Sequence, residues 1–346
     1  YMVNLNVIAI DLAKNNYQVC KIGKERQVIY NKEVSRQKLL QLLVSEKQSL
    51  VAMESCGGTH YWARKAKEAG HIVKPMSARV VKAFRQGQKT DANDALAIGI
   101  AAQQPTVKPS RLLSVNEQCL QSISAMREHF VKQKVALGNL QRGCLLELGI
   151  PIAKSDSKLI DAVESLLEDT SFNVPMAFRA SLKIVNEQFK RVVKEIIALE
   201  KLIEEEIKND EVCERLSKLE GVGPVGSMML KVYFSCIEHF KNGREASACA
   251  GLTPVQHSSG GKEKIGSISK KSANKKLRST LYQGALAVVS NVIKRASRTE
   301  KDEWLKKLIA RRGKKVAAIA LANKTIRTAF AMLKKNECYQ PKLLTA

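Results

Sequence analysis

The chain has 346 residues, 45% of them hydrophobic and 26% charged, enough to bury a core without disulfides or metals and too apolar for disorder as its main state. Lys and Arg exceed Asp and Glu by 25, a balance that points to a polyanionic partner, because each neutralised phosphate releases counterions. No uncharged stretch reaches the ~20 apolar residues of a membrane helix and no targeting signal opens the chain, so a soluble cytoplasmic, nucleoid-associated protein with no membrane contact is expected.

From the N-terminus, residues 5–10 form a short apolar run ending at Asp11. Residues 17–22 and 27–34 are rich in β-formers with a turn at Gly23 and Lys24, which predicts a three-stranded meander. Ser35 is placed to cap a helix to about 46, whose apolar face is Leu39, Leu40, Leu42 and Leu43. A buried strand over 50–53 ends at Glu54, a helix over 59–69 stops at Gly70, and a strand at 72–75 precedes a helix over 78–86. Three strands, then helix, strand, helix, strand, helix is the order of an RNase H-like (RuvC-like) α/β domain. It is expected over residues 1–104.

Residues 103–116 carry two prolines and read as a linker. Two long helical patterns follow, over about 115–148 and 177–208, and the second keeps apolar residues three or four apart from Leu182 to Leu199. An antiparallel hairpin, an intermolecular coiled coil, or an ordinary bundle within one monomer all fit this segment, 105–210. The last third, 211–346, reads as mostly helical with Gly- and Ser-rich interruptions. Net charge is +8 over residues 1–105, 0 over 106–210 and +17 over 211–346. The neutral middle suits protein assembly and the basic end suits nucleic acid. With aromatics at only 5%, backbone phosphates rather than stacked bases are expected to supply the affinity.

The eight cysteines contain no C-x-x-C pair, and the five histidines do not cluster with them, which argues against zinc or a disulfide framework. Most of these thiols are expected to be buried.

Four carboxylates stand out. Asp11 and Glu54 end strands that neighbour one another in the expected sheet. Asp91 and Asp94, at i and i+3, share one face of a helix that Thr90 can cap. Hard oxygen donors favour Mg2+ or Mn2+ and phosphodiester chemistry; each acid taken singly would be a cap or surface group. The run Gly221-Val222-Gly223-Pro224-Val225-Gly226 has the pattern of a helix-hairpin-helix, whose turn glycines leave backbone N–H groups free for a DNA phosphate, or of a plain interhelical turn. Residues 250–262 read as a flexible Ser-Gly loop in which a serine is a candidate nucleophile. Lys262, Lys264, Lys270, Lys271, Lys275, Lys276 and Arg278 follow as a phosphate-contacting run or a solvated face. Tyr282 is read as core, since no His-x-x-Arg accompanies it. With no G-x-x-x-x-G-K-[ST], an NTPase motor is disfavoured.

Together, Ile-Ala-Ile-Asp11, Met-Glu54-Ser, Lys-Thr-Asp91-Ala-Asn-Asp94-Ala, Glu-Gly-Val-Gly-Pro-Val-Gly and Ala-Gly-Leu-Thr-Pro with Ser-Ser-Gly-Gly-Lys resemble the DEDD transposases. These are insertion-sequence recombinases of the IS110 and IS1111 groups, related to Piv-type DNA invertases. The resemblance covers nearly the whole chain. It implies a RuvC-like domain joined through a coiled coil to a C-terminal transposase domain. Asp11, Glu54, Asp91 and Asp94 would form a metal-binding tetrad, and Ser259, with Ser258 as its neighbour and rival, would attack the DNA phosphate. It further implies donor and target DNA, a non-coding bridge RNA as guide, and a homo-oligomer, dimer or tetramer. A composite site is then expected, with metal from one domain and nucleophile from the other. The competing readings are a junction-resolving nuclease that activates water without a covalent intermediate, and a non-catalytic nucleic-acid-binding protein.

Overall fold

A computed structural model describes residues 5–268 and 274–344, so Lys270 and Lys271 lie outside the described residues. The chain divides into two compact units, residues 1–115 and 116–346.

The first unit is a five-stranded mixed sheet with helices on both faces. Its strands are β1 (Val7–Leu12), β2 (Asn16–Ile22), β3 (Val28–Ser35), β4 (Leu50–Glu54) and β5 (Ile72–Met76), in the order β3-β2-β1-β4-β5. β1, β2 and β3 form an antiparallel meander, while β4 runs parallel to β1 and β5 parallel to β4. The helices are α1 (Arg36–Ser45), α2 (Thr59–Glu68), α3 (Ala78–Lys82) and α4 (Asp91–Gln103). Ser35 caps α1 as expected, accepting from the Lys38 N–H.

Strand alternation assigns the faces. Ile8, Ile10, Val51 and Met53 pack with Leu39, Leu43 and Trp62 of α1 and α2. Val7, Ala9, Leu50 and Ala52 point the other way, against Ala95, Ile98 and Ala102 of α4. Gly99 permits that approach: a Cβ there would fall 3.3 Å from Ala9 Cβ and 2.5 Å from Ile22 Cδ1. Buried Lys74 donates from Nζ to the carbonyls of Ala102 and Gln104 at 2.7 and 3.1 Å, satisfying the C-terminal end of α4. The helix expected over 78–86 is shorter, because the chain turns before Gly87 (φ 74°) to set up the start of α4.

Among its described residues the second unit is helical apart from one hairpin and an isolated bridge between Thr299 and Leu343. α5 (Val115–Glu147), α6 (Asp156–Glu168) and α7 (Met176–Lys208) come first. Phe189 of α7 lies over Gly138 of α5 with Leu159 of α6 beside it. Forward along α7 from Phe189 to Glu200 runs backward along α5, because Glu200 pairs with Arg127. The two long helices are therefore antiparallel within one chain. α6 was not anticipated, although Ser155, which caps it, and Leu159 and Val163, which it buries, spell it out.

Next come α8 (Glu211–Ser217), α9 (Pro224–Tyr233), α10 (Gly243–Cys249), β6 (Pro254–Ser259), β7 (Lys262–Ile268), α11 (Lys275–Val292) and α12 (Glu300–Lys335). Leu216, Leu230, Phe234, Leu281, Val289, Leu321 and Ile326 share one core, against which Tyr282 packs. α12 bends at Gly313 (φ 79°). By length and composition alone it is apolar enough to cross a membrane. Here its Ala317, Leu321, Ala322 and Ile326 are buried in the unit's own core. The flexible loop expected around Ser259 is instead the β6–β7 hairpin. Gly260 and Gly261, at φ 54° and 74°, supply the two left-handed residues that a two-residue turn requires. The cysteine expectation also fails: Cys56, Cys119, Cys236, Cys249 and Cys338 are exposed, and only Cys20 and Cys213 are buried.

Candidate active site

Ile10 of β1 pairs with Met53 of β4, so Asp11 and Glu54 are the next residues along two adjacent parallel strands. Alternation sends both side chains to the face that carries α4. Thr90 caps α4, accepting from the Asn93 N–H, and Asp91 and Asp94 occupy its first turn. Sheet register and helix start thus bring the four acids to one end of one face.

Their electrostatics record that proximity. The Asp11 carboxyl is pushed up to about 6, first by burial and then by the negative charges of Asp94, Asp91 and Glu54, with Lys89 acting against them. Burial, then Asp94, raises Glu54 above its ordinary value, while Lys89 and Arg85 oppose the shift. Arg85 Nη1 meets Asp94 Oδ1 at 3.1 Å. Among the described residues no three His, Cys, Asp or Glu side chains converge to ligand distance of one point. Asp11 stands within Coulomb range of Asp94, Asp91 and Glu54, and Glu54 within range of Asp94, with Asp94 drawn toward Arg85. Clustered acidic oxygens, of which Asp11 and Glu54 are held above their ordinary values, are the donor set that suits a hard divalent cation. Arg85 and Lys89 were missed in the sequence; their signal was two cations just ahead of the Thr90 cap.

The hairpin separates the two serines. Ser259 pairs with Lys262 and His257 with Lys264, whereas Ser258 pairs with Glu263 and Gln256 with Ile265. Paired residues share a face, and faces alternate along a strand. One face therefore presents Ser259, His257 and two lysines. The other presents Ser258, Gln256, an acid and an isoleucine, and Gln256 Nε2 reaches Ser258 Oγ at 3.4 Å. His257 had not been singled out; only the register reveals its place.

The glycine-rich turn joins α8 to α9. Gly221 (φ 77°) is pressed against Gly284 of α11, where a Cβ would come within 2.7 Å of backbone, and Gly226 is buried; Gly223 is exposed with open space about it. Gly223 precedes α9, so of the three it is the one whose surroundings admit a ligand. Lys262, Lys264 and Lys275 are exposed. Lys276 is held by Glu128 at 2.8 Å, and Arg278 reaches the Gly251 carbonyl at 3.4 Å.

Family profiles and relatives agree on a class. A DEDD-type IS110 transposase profile matches residues 8–150, and one described as Transposase IS116/IS110/IS902 family matches residues 213–300. The chain is 33% identical over 341 residues to a probable family 20 transposase of Pseudomonas aeruginosa, covering 98% of this chain and 100% of that one. It is 31% identical over 339 residues to the transposase for insertion sequence element IS1111A of Coxiella burnetii, at 98% and 92% coverage. It is 30% identical over 333 residues to a putative transposase of Sinorhizobium fredii, at 96% and 85%. The class is thus a DNA transposase, an enzyme of DNA recombination. The chain belongs to the IS110 family of insertion-sequence transposases.

Proposed function

We propose that this transposase cuts and rejoins DNA through Ser259, with Asp11, Glu54, Asp91 and Asp94 holding Mg2+ or Mn2+ at the end of an RNase H-like, RuvC-like sheet. The observation that carries the reading is the gathering of the four acids on one face, where burial and then the charges of Asp94, Asp91 and Glu54 push the Asp11 carboxyl up to about 6. When bound, the cation supplies Lewis acidity to a phosphate ester. Asp11 and Glu54 would hold it from the sheet and Asp91 and Asp94 from the helix start.

Ser259 is preferred to Ser258 because its face of the hairpin carries Lys262 and Lys264 to bind phosphate and His257 to accept the hydroxyl proton. The serine oxygen bonds to phosphorus, the phosphorus–sugar oxygen bond breaks, and the proton taken from serine passes to the departing sugar oxygen. Attack by a sugar hydroxyl of another strand reverses the exchange and frees the serine. No net hydrolysis occurs, so the bond energy needed for rejoining is kept.

Gly223 at the start of α9, with Gly221 and Gly226 shaping the turn, and the exposed Lys262, Lys264 and Lys275 serve donor and target DNA. Lys276 and Arg278 border that surface. A positive chain with few aromatics suits a protein that leaves sequence reading to a paired guide, the bridge RNA. Exposed Met126, Val135, Leu140, Ile184 and Ile197 on the long antiparallel helices support a homo-oligomer, dimer or tetramer, acting at the nucleoid.

The deciding measurement traps protein on labelled DNA with divalent cation and co-purified RNA present. Wild type and Ser258→Ala should yield a covalent adduct, while Ser259→Ala and Asp11→Asn should not. Cleavage by Ser259→Ala without an adduct would instead establish water as nucleophile and a junction-resolving nuclease.

A further inference from the structure

Beside the base of the β6–β7 hairpin, within the second unit, lies a groove of about 1380 Å³, larger than the ~300 to 1,000 Å³ of a small-molecule pocket. Its floor is apolar, built from Trp304, Val316, Ile319 and Phe330 with Leu252 from the loop before β6. Its rim carries Arg244, Lys315, Lys324 and Arg327, and no Asp or Glu is among its described lining residues. α12 supplies most of it: Val316, Ala320, Lys324 and Arg327 recur at helical spacing along one side of the segment after the Gly313 bend. Gly243 lets α10 come close, since a Cβ there would stand 3.2 Å from Arg327 Cα.

These four cations have no carboxylate within ion-pair distance among the described residues. Lys324 lies over the Trp304 ring at 4.5 Å from its centroid, and its ammonium is held below the ordinary lysine range by burial and by the positive charges of Lys301 and Arg327. The ligand that suits such a place has flat apolar surface and several negative charges spaced along it. A fatty acid would fill the floor and leave most of the rim unanswered. Duplex DNA would answer the rim, but its bases are stacked away from the floor. An unpaired strand presents both parts.

We propose that this groove binds an unpaired segment of the substrate DNA, one base lying against Trp304 and its flanking phosphates meeting Arg244, Lys324 and Arg327. The occupant is DNA because the chain is a DNA transposase and because the groove is continuous with the base of the hairpin, through Pro254, Gly266 and Ser267. The inference needs the family membership but not the role proposed for Ser259. A strand lodged here would be anchored at the root of the ribbon that bears that serine.

The chain provides its own reporter. It has two tryptophans, and Trp62 is only 2% exposed in the core of the other unit. The full chain is titrated with a single-stranded oligodeoxynucleotide of about ten nucleotides, following both tryptophan emission and the anisotropy of a label on the DNA. Quenching is expected in wild type and equally in Ser259→Ala, and should vanish in Trp304→Phe. The paired change Lys324→Ala with Arg327→Ala should weaken binding roughly tenfold at moderate salt. Val316→Glu, at a position 50% exposed, should abolish the quench without lowering the thermal midpoint, which guards against misfolding of the tryptophan variant. Quenching that survives Trp304→Phe, an equal response to duplex, or tighter quenching by RNA of the same sequence would each overturn the proposal. Absence of any covalent adduct in wild type would sink the serine reading while leaving the quench as it is.

Discussion

Asp11 follows Ile8, Ala9 and Ile10, each 0% exposed, on a strand clasped between an antiparallel and a parallel neighbour. Ser259 stands on a two-stranded ribbon where His257, Ser258, Lys262, Glu263 and Lys264 all face solvent. Asp11 and Glu54 take their positions from a core that Val7 to Ile10 and Leu50 to Met53 fill, so displacing them means unpacking the sheet. The serine takes its position from backbone pairing alone. In the roles proposed for them, ion-holding groups need fixed spacing, whereas a nucleophile that must meet a large substrate gains from exposure and takes its final order from the DNA.

The strongest way to break this comparison is at the ribbon. Ser259→Ala should reduce covalent adduct formation by about a thousandfold or more with no change in thermal midpoint, since among the described residues its hydroxyl makes no hydrogen bond. Ser258→Ala should stay within a few-fold of wild type. Equal loss from both serines would show that the two faces are not distinct in use.

Next in size is a pair of glycine substitutions that sets one unit against the other. A Cβ at Gly284 would sit 1.8 Å from the Gly221 carbonyl oxygen, which is backbone and cannot turn aside. Gly284→Ala should cost the helical unit about 3 kcal/mol by urea titration. At Gly99 the nearest obstacle is the tip of Ile22, which can rotate, so Gly99→Ala should cost the sheet unit about 1 kcal/mol. The reverse order would mean that the sheet is the less forgiving of the two.

Lys262→Ala with Lys264→Ala should weaken DNA binding roughly tenfold at moderate salt and flatten its dependence on salt by about two ions. The smallest effect belongs to Asp11. Its folded-state carboxyl holds its proton to about 6, above the 3.8 of an unstrained group, so the folded state binds more protons in that interval and stability falls as pH rises through it. Asp11→Asn, expected to be inactive in cleavage, should raise the metal-free thermal midpoint at pH 7 by roughly 2 °C and flatten its decline between pH 4 and 6. A lower midpoint for the variant would show that the charge is stabilised where it lies.

Much of the sheet was legible because its signals are local. Apolar runs ended at Asp11 and Glu54, Ser35 and Thr90 marked helix starts, and the order of elements fixed which strands adjoin. The helix expected over 78–86 overran the end of α3 at Lys82 into the turn before α4, because Ala83 and Phe84 continue its apolar spacing and the breaker, Gly87, comes later. The hairpin was harder. Gln256 to Lys264 is polar throughout, so no hydrophobic alternation marks it, and only the Gly260-Gly261 pair betrays the turn. His257 and the salt bridge of Arg85 to Asp94 depend on register and on a turn, which side-chain type alone does not disclose. The glycines of the α8–α9 turn show the converse: a pattern read for phosphate places one of its three residues, Gly221, in close packing with Gly284, a partner far along the chain.

The tight turn after Ser259 makes the orientation of the proposed nucleophile a matter of parity. Two glycines close the ribbon, so the residue on each side of them is locked into one facing pair, Ser259 with Lys262. Inserting one residue between His257 and Ser259, or deleting Ser258, would leave Ser259 where it is but slip its upstream neighbours across the ribbon, trading His257 for a residue from the opposite side. An insertion of two would restore the original sidedness. Odd and even changes of length in this short strand should therefore differ sharply in their tolerance, an arithmetic rule that a library of insertions would expose without any structural measurement.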